Sequence, residues 1–161
     1  MNLLEYEAKG ILQQFAIPVP SSKTIQKGDT VPPVPIVLKS QVHSGGRGKL
    51  GGVRVVKSGD TIKVAKDIFS LEIKGETPHT LLAEELLDIA GEYYLSLLVN
   101  RSNATIEVVA HKQGGIEVES HSPDEFFRRE LTLELSSVVG DNLADYLELP
   151  GQSFALQELL E

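Results

Sequence analysis

The chain has 161 residues, 41% of them hydrophobic, enough for one ordinary domain or two small lobes. Fifteen Lys and Arg against twenty-three Asp and Glu leave a net charge of −8, a field that repels nucleic acid and anionic membranes, so any anion site must be local. With no cysteine there are no disulfides, thiolate metal sites or cysteine nucleophiles, and the cytoplasm is the expected compartment.

The opening stretch, MNLLEYEAKGILQQF, carries acidic residues and neither a basic n-region nor a small-residue cleavage site, so it is not read as a signal peptide. No apolar run approaches the roughly 18 to 20 residues that cross a bilayer. Asn2 and Glu5 have the spacing of a capping box, and Leu4, Ala8, Ile11, Leu12 and Phe15 recur at helical intervals, which predicts an amphipathic helix. Pro18 and Pro20 stop it, and VPPVP at 31–35 marks an extended connector. IVLK at 36–39 reads as a short buried strand that runs directly into SQVHSGGRGKLGG, and VRVV at 53–56 as its returning partner.

A helix is expected from Asp60 through Ile62, Ala65, Ile68 and Phe69. TLLAEELL (80–87), EYYLSLLVNR (92–101), ATIEVVAHK (104–112) and GIEVES (115–120) follow as strands, with NRSNAT as a hairpin turn between two of them. DNLADYLEL and QSFALQELLE close the chain as helices separated by a Pro-Gly break.

The glycine segment is where chemistry concentrates. Phosphates need converging N–H donors and positive charge, and glycine permits close backbone approach and the positive φ angles that form anion-binding concavities. Gly45, Gly46 and Gly48 surround Arg47, and Lys39 at the strand end can aim an ammonium into the same space. The pattern is neither a P-loop nor GxGxxG, and a merely tight or mobile turn is the plain alternative. One GGRG copy without neighbouring aromatics, in an acidic chain, argues against single-stranded RNA binding.

Elsewhere the plain explanations prevail. His43 reads as a loop or interface histidine, and His79, His111 and His121 as surface residues without metal-ligand spacing. Glu84 and Glu85 are adjacent in a strand and therefore point to opposite faces, which leaves a backbone role for Glu84. Glu117 and Glu119 share one face of an expected strand that is solvated, and Phe126 and Phe127 in EFFRRE read as core or contact residues.

Taken in order, MNLLEYEAKGIL, IVLKSQVHSGGRGKLGGV, LLAEELLDIAGEYYLSLLVNRS and QGGIEVE resemble the N-terminal part of the β subunit of succinyl-CoA synthetase, the ADP-forming succinate–CoA ligase. Malate–CoA ligase β subunits are similar over the same stretch. The resemblance covers nearly all of residues 1 to 120 and continues more weakly to the end. It implies an α+β ATP-grasp fold, N-terminal portion, with a nucleotide-binding lobe near 20–85 and the start of an incomplete second lobe over 86–161.

By the same resemblance, Lys39 contacts phosphate and Gly46, Arg47 and Gly48 form a flap over it. Glu84 to Leu87 form the interlobe connection that reads adenine through its backbone, and Glu92 accepts from a ribose hydroxyl. At Leu87 the family often has a small polar residue, so the implied contact there is through the backbone. A carboxylate at Glu92 is repelled by phosphates and suits the neutral sugar, whereas Lys39 and Arg47 neutralise phosphate charge.

The implied cofactor is ATP or GTP with Mg²⁺, and the implied partner of the full-length form is an α subunit that carries the phosphohistidine. The EINPL-like motif with the family's Mg²⁺ ligands is absent, as is the domain for succinate and CoA, so the resemblance implies a shortened β subunit without catalytic residues or metal ligands of its own. The tricarboxylic acid cycle reaction belongs to the intact enzyme. The chain is expected to bind nucleotide weakly at most. The competing readings are an assembly module with the lobe fold but no useful nucleotide affinity, and a fragment of another acid–CoA ligase.

Overall fold

In a computed structural model, residues 2–131 and 136–160 are described, and the chain divides into two compact units, Met1–Asp88 and Ile89–Glu161. The first unit contains helix α1 (Glu5–Gln14), strands β1 (Ser22–Gln26), β2 (Ile36–Gln41) and β3 (Val53–Val56), helix α2 (Thr61–Phe69) and strand β4 (Thr80–Glu85). Its four strands pair antiparallel in the order β1-β4-β2-β3. Ile36 and Leu38 of β2, and Leu81 and Ala83 of β4, sit in a core with Ile25, Val56, Ala65, Ile68 and Phe69. Alternation along each strand sends the residues that follow Leu38 and Ala83, namely Lys39 and Glu84, to the opposite face.

Helix α2 is built as its sequence predicts: the Asp60 carboxylate caps it by accepting from the Lys63 N–H, and Ala65, Ile68 and Phe69 are buried. Helix α1 departs from expectation in two respects. Leu4, not Asn2, is its N-cap, because the Glu7 carboxylate turns back to accept from the Leu4 N–H at 2.8 Å. None of its residues is buried and Phe15 is 73% exposed, because this helix meets the sheet through Glu5 and Lys9 and not through its apolar stripe. Strand β1, SKTIQ, is not among the expected elements, and only Ile25 of it is buried.

The second unit contains β5 (Tyr94–Asn100), β6 (Thr105–His111), β7 (Phe127–Leu131), α3 (Ser136–Tyr146) and α4 (Ser153–Leu160). The strands pair antiparallel as β5-β6-β7, and Val108, Ala110 and Phe127 pack with Val139, Leu143, Leu147 and Leu160 of the helical segment. β5 and β6 form the expected hairpin across the NRSNAT turn. As an edge strand, β5 leaves Leu97, Leu98 and Val99 exposed.

GIEVES is not a strand. Gly114 donates its N–H to the Glu92 carbonyl at 2.9 Å, Gly115 turns the chain at φ +88°, and a single 3₁₀ turn spans Val118–Ser120. Glu117 and Glu119 therefore do not share a pleated face. The strand lies further on, in β7, whose Arg128–Arg129–Glu130 run masks its pattern; only Phe127 is buried there.

Candidate functional site

Strands β2 and β3 are joined by the glycine segment, and the structure shows it folded into successive turns. His43 N–H and the Ser44 hydroxyl both donate to the Glu76 carboxylate, which fixes the entry and holds that carboxyl below its usual range, the Ser44 bond first and the His43 amide second. Lys49 N–H then bonds the Gly46 carbonyl (3.1 Å), Gly51 N–H the Gly48 carbonyl (3.2 Å) and Gly52 N–H the Arg47 carbonyl (2.8 Å). The exit is closed by Ser40 N–H on the Gly52 carbonyl at 2.7 Å. Gly46 has φ +79°, in the left-handed region. At Gly52 a Cβ would stand 2.4 Å from Ser40 Oγ, 2.8 Å from Ile73 Cδ1 and 3.0 Å from the Arg47 carbonyl oxygen, so glycine is required by space.

Arg47 leaves this turn and folds back on the sheet. Its Nη1 donates to the Ser40 carbonyl at 2.8 Å and its Nη2 to the Glu5 carboxylate of α1. Lys39 lies between the same Glu5, at 3.0 Å, and Glu84 of β4, at 2.5 Å. Lys9, one turn after Glu5, completes the group by bonding Glu84 and by approaching Glu5 at 3.1 Å. All five side chains are mostly buried, and Glu84 is the deepest, its side chain only 6% exposed.

The electrostatics follow from this packing. Burial pushes the Glu5 carboxyl up, but the Lys39 hydrogen bond and the charges of Arg47, Lys39 and Lys9 together bring it down to about 2. Burial and the neighbouring Lys39 charge pull Lys9 below the usual lysine range, with Glu5 opposing them. Three cations share two carboxylates, so the cluster carries one positive charge in excess. A polyanion that reached it would have Lys39 and Arg47 to gain and would have to displace Glu5 and Glu84.

Of the residues singled out in the sequence, Lys39 and Arg47 are brought into this one group, with Gly46 and Gly48 in the turns that carry Arg47. Glu84 joins them by its side chain. Its backbone faces Ser22 of β1 on one side and Val37 of β2 on the other, in the middle of the sheet. Leu87 follows β4 outside the ladder and is exposed. Glu92 belongs to the second unit, where its carbonyl receives Gly114 N–H. Sequence reasoning missed Glu5 and Lys9; their i,i+4 spacing at the start of α1 was the available signal, but it is equally that of an ordinary surface pair.

Two histidines also require correction. His111 is 5% exposed, not a surface residue, and stacks on His121 with ring centroids 4.1 Å apart. Glu125 stands near both, and these three form a set with ligand atoms within 4.8 Å of one another. Sequence spacing hid the set because the nine-residue turn segment between the histidines folds back on itself. His79 is exposed, as expected.

The ATP-grasp domain family matches residues 2–157. The succinate–CoA ligase [ADP-forming] subunit beta of Ignicoccus hospitalis is 40% identical over 126 residues, which cover 74% of this chain and 34% of that protein. The [GDP-forming] subunit beta of Thermus thermophilus is 36% identical over 126 residues, 74% of this chain and 33% of its own length. The chain thus spans about a third of the length of these two relatives. Among solved structures, Ca. Korarchaeum cryptofilum ACD1 in complex with coenzyme A superimposes with a TM-score of 0.69 at 20% identity, over 98% of this chain and 76% of that one. At that identity the likeness speaks to the fold.

Proposed function

The chain belongs to the ATP-grasp domain family, and from that premise we propose that it is the nucleotide-binding part of a succinate–CoA ligase β subunit. In the whole enzyme the reaction is the reversible formation of succinyl-CoA, ADP and phosphate from succinate, CoA and ATP, with an α subunit as partner in the cytoplasm. The observation that carries the reading is the pairing of Lys39 and Arg47, one from a strand end and one from the glycine turn, in a mostly buried group with excess positive charge.

The nucleotide is bound by exchange of ionic partners. Its phosphates replace Glu5 on Arg47 and Lys39, while Glu84, deepest in the sheet, keeps Lys39 and Lys9 in place. The turns from Gly46 to Gly52, closed by their own N–H to carbonyl bonds at Lys49, Gly51 and Gly52, carry Arg47 and form the flap. Leu86 and Leu87, which follow β4, are the positions whose backbone reads the adenine. Bound nucleotide supplies the phosphoryl group and Mg²⁺ its charge neutralisation. The described residues do not fit Mg²⁺: the carboxylates of the ionic cluster are committed to Lys and Arg, and the set of three near His111 is rich in nitrogen where magnesium takes oxygen.

Calorimetric titration of the chain with Mg-ATP and Mg-GTP, with Lys39→Ala in parallel, tests the proposal. Saturable binding that Lys39→Ala weakens by about tenfold or more, the equivalent of one charge-assisted contact, is the expected result. No heat at millimolar nucleotide from a folded chain refutes nucleotide binding here. A second reading, an assembly module without nucleotide affinity, draws on the same cluster: Lys39 and Arg47 are already neutralised by Glu5 and Glu84. Glu5→Gln separates the two, because releasing both cations strengthens nucleotide binding in the first reading and changes nothing in the second.

A further inference from the structure

We propose that His111, His121 and Glu125 form a binding site for a divalent transition-metal ion of the zinc class, separate from the nucleotide cluster and built wholly within the second unit. His111 ends β6 and is almost completely buried, with Phe126 4.9 Å from its ring. His121 lies over it and is partly exposed, and Glu125 follows in the next turn with its carboxylate 3.4 Å from His121 Nδ1. One ligand atom from each of the three lies within 4.8 Å of the others, a span that modest side-chain rotation closes around one ion.

The surroundings orient these groups as those of a metal site do. His111 Nδ1 lies 3.0 Å from the Gln113 carbonyl oxygen; as the donor in that contact it leaves Nε2 unprotonated with its lone pair available, the arrangement in which a backbone carbonyl fixes the tautomer of a ligating histidine. The Gln113 N–H also reaches Nδ1, at 3.1 Å, and binding of an ion at Nε2 selects the carbonyl contact over this one. The Glu125 carboxylate is held by the Ser122 N–H at 3.1 Å, and its backbone carbonyl accepts from the Tyr146 hydroxyl of α3, so the turn that carries it is anchored to the unit's core.

Two imidazoles and one carboxylate match zinc, cobalt or nickel and not the all-oxygen shells of magnesium or calcium. Three protein ligands leave a fourth position for water or an external ligand. Imidazole lone pairs lie in the ring plane, so an ion shared by both rings must widen the present interplanar angle of 27°. His121 is the ring free to move, since His111 is packed. The bound ion would tie the end of β6 to the turn before β7 and brace the nine residues between the two histidines.

The test uses the 161-residue chain without an affinity tag, stripped with chelator and titrated with Zn²⁺ by calorimetry and with Co²⁺ by visible absorption. Glu125 is exposed and His121 half-buried outside the hydrophobic core, so His121→Gln and Glu125→Gln test the site without disturbing the core, with Glu119→Gln as a nearby acidic control. Expected are saturable one-to-one Zn²⁺ binding, visible Co²⁺ bands of a nitrogen-ligated site, and about tenfold or greater loss of affinity in each site variant but not in the control. The proposal is overturned if the folded chain binds no Zn²⁺ at submillimolar concentration. It is equally overturned if either site variant binds as the control does.

Discussion

Glu5 holds two of the cations that the proposed nucleotide needs, and its carboxyl titrates about where it does because burial is outweighed by Lys39, Arg47 and Lys9. Its folded value of about 2 lies below the ordinary 4.5, so its contribution to stability is complete above pH 4.5 and is lost as the pH falls from there through 2. Allowing for solvent screening, that contribution is on the order of 2 kcal/mol at neutral pH. Urea midpoints at pH 7 and pH 3 should therefore fall further for the parent chain than for Glu5→Gln; equal drops would mean that Glu5 is not held by these cations. Ser40 provides a contrasting case. Its hydroxyl oxygen is buried and has no hydrogen-bond partner among the described residues, so Ser40→Ala should be neutral or stabilising by up to about 1 kcal/mol. A loss of stability in thermal melts would show a partner for that oxygen.

At the scale of elements, the hairpin from β2 through the glycine turns to β3 owes its shape to space at one position. Gly52 is enclosed by Ser40, Ile73 and the Arg47 carbonyl, of which the backbone oxygen cannot yield without moving Arg47. Gly52→Ala should cost about 1 to 3 kcal/mol and should weaken Mg-ATP binding through displaced Arg47. Gly45→Ala, where a Cβ meets nothing within 4 Å, should leave the melting temperature nearly unchanged. Equal effects of the two substitutions would show that the turn is not packed. Helix α1 has the reverse logic: it lends Glu5 and Lys9 to the sheet and keeps its apolar stripe outside, so its place depends on charge rather than on burial.

Over the whole molecule, each unit has a hydrophobic core of its own, one around Ile68, Leu38 and Leu81, the other around Leu143, Val108 and Phe127. Ile68 and Leu143 are fully buried, and truncating either to alanine should cost about 2 to 5 kcal/mol. Hydrogen exchange should then show Ile68→Ala loosening β2 and β4 but not β6, and Leu143→Ala loosening β6 and β7 but not β2. Loss of protection across both units from either substitution would mean that the cores unfold as one.

The sequence by itself determined the α+β character and the order of most elements, because β-branched runs, helical spacing and glycine turns act over a few residues and leave a local imprint. It also pointed to Lys39 and Arg47 as a basic pair around a glycine turn, and four ordered motifs pointed to the ATP-grasp family that residues 2–157 match. It left β1 unpredicted, mistook GIEVES for the strand that β7 provides, and placed His111 at the surface. Only the tertiary structure brought Glu5 and Lys9 to Lys39, Arg47 and Glu84, and His111 to His121 and Glu125. Those partners lie up to 79 residues apart in the chain, as Glu5 and Glu84 do, and a charge's partner is set by which strands pair and which face a helix covers. Sheet pairing and helix packing are properties of the folded chain, and no local spacing encodes them.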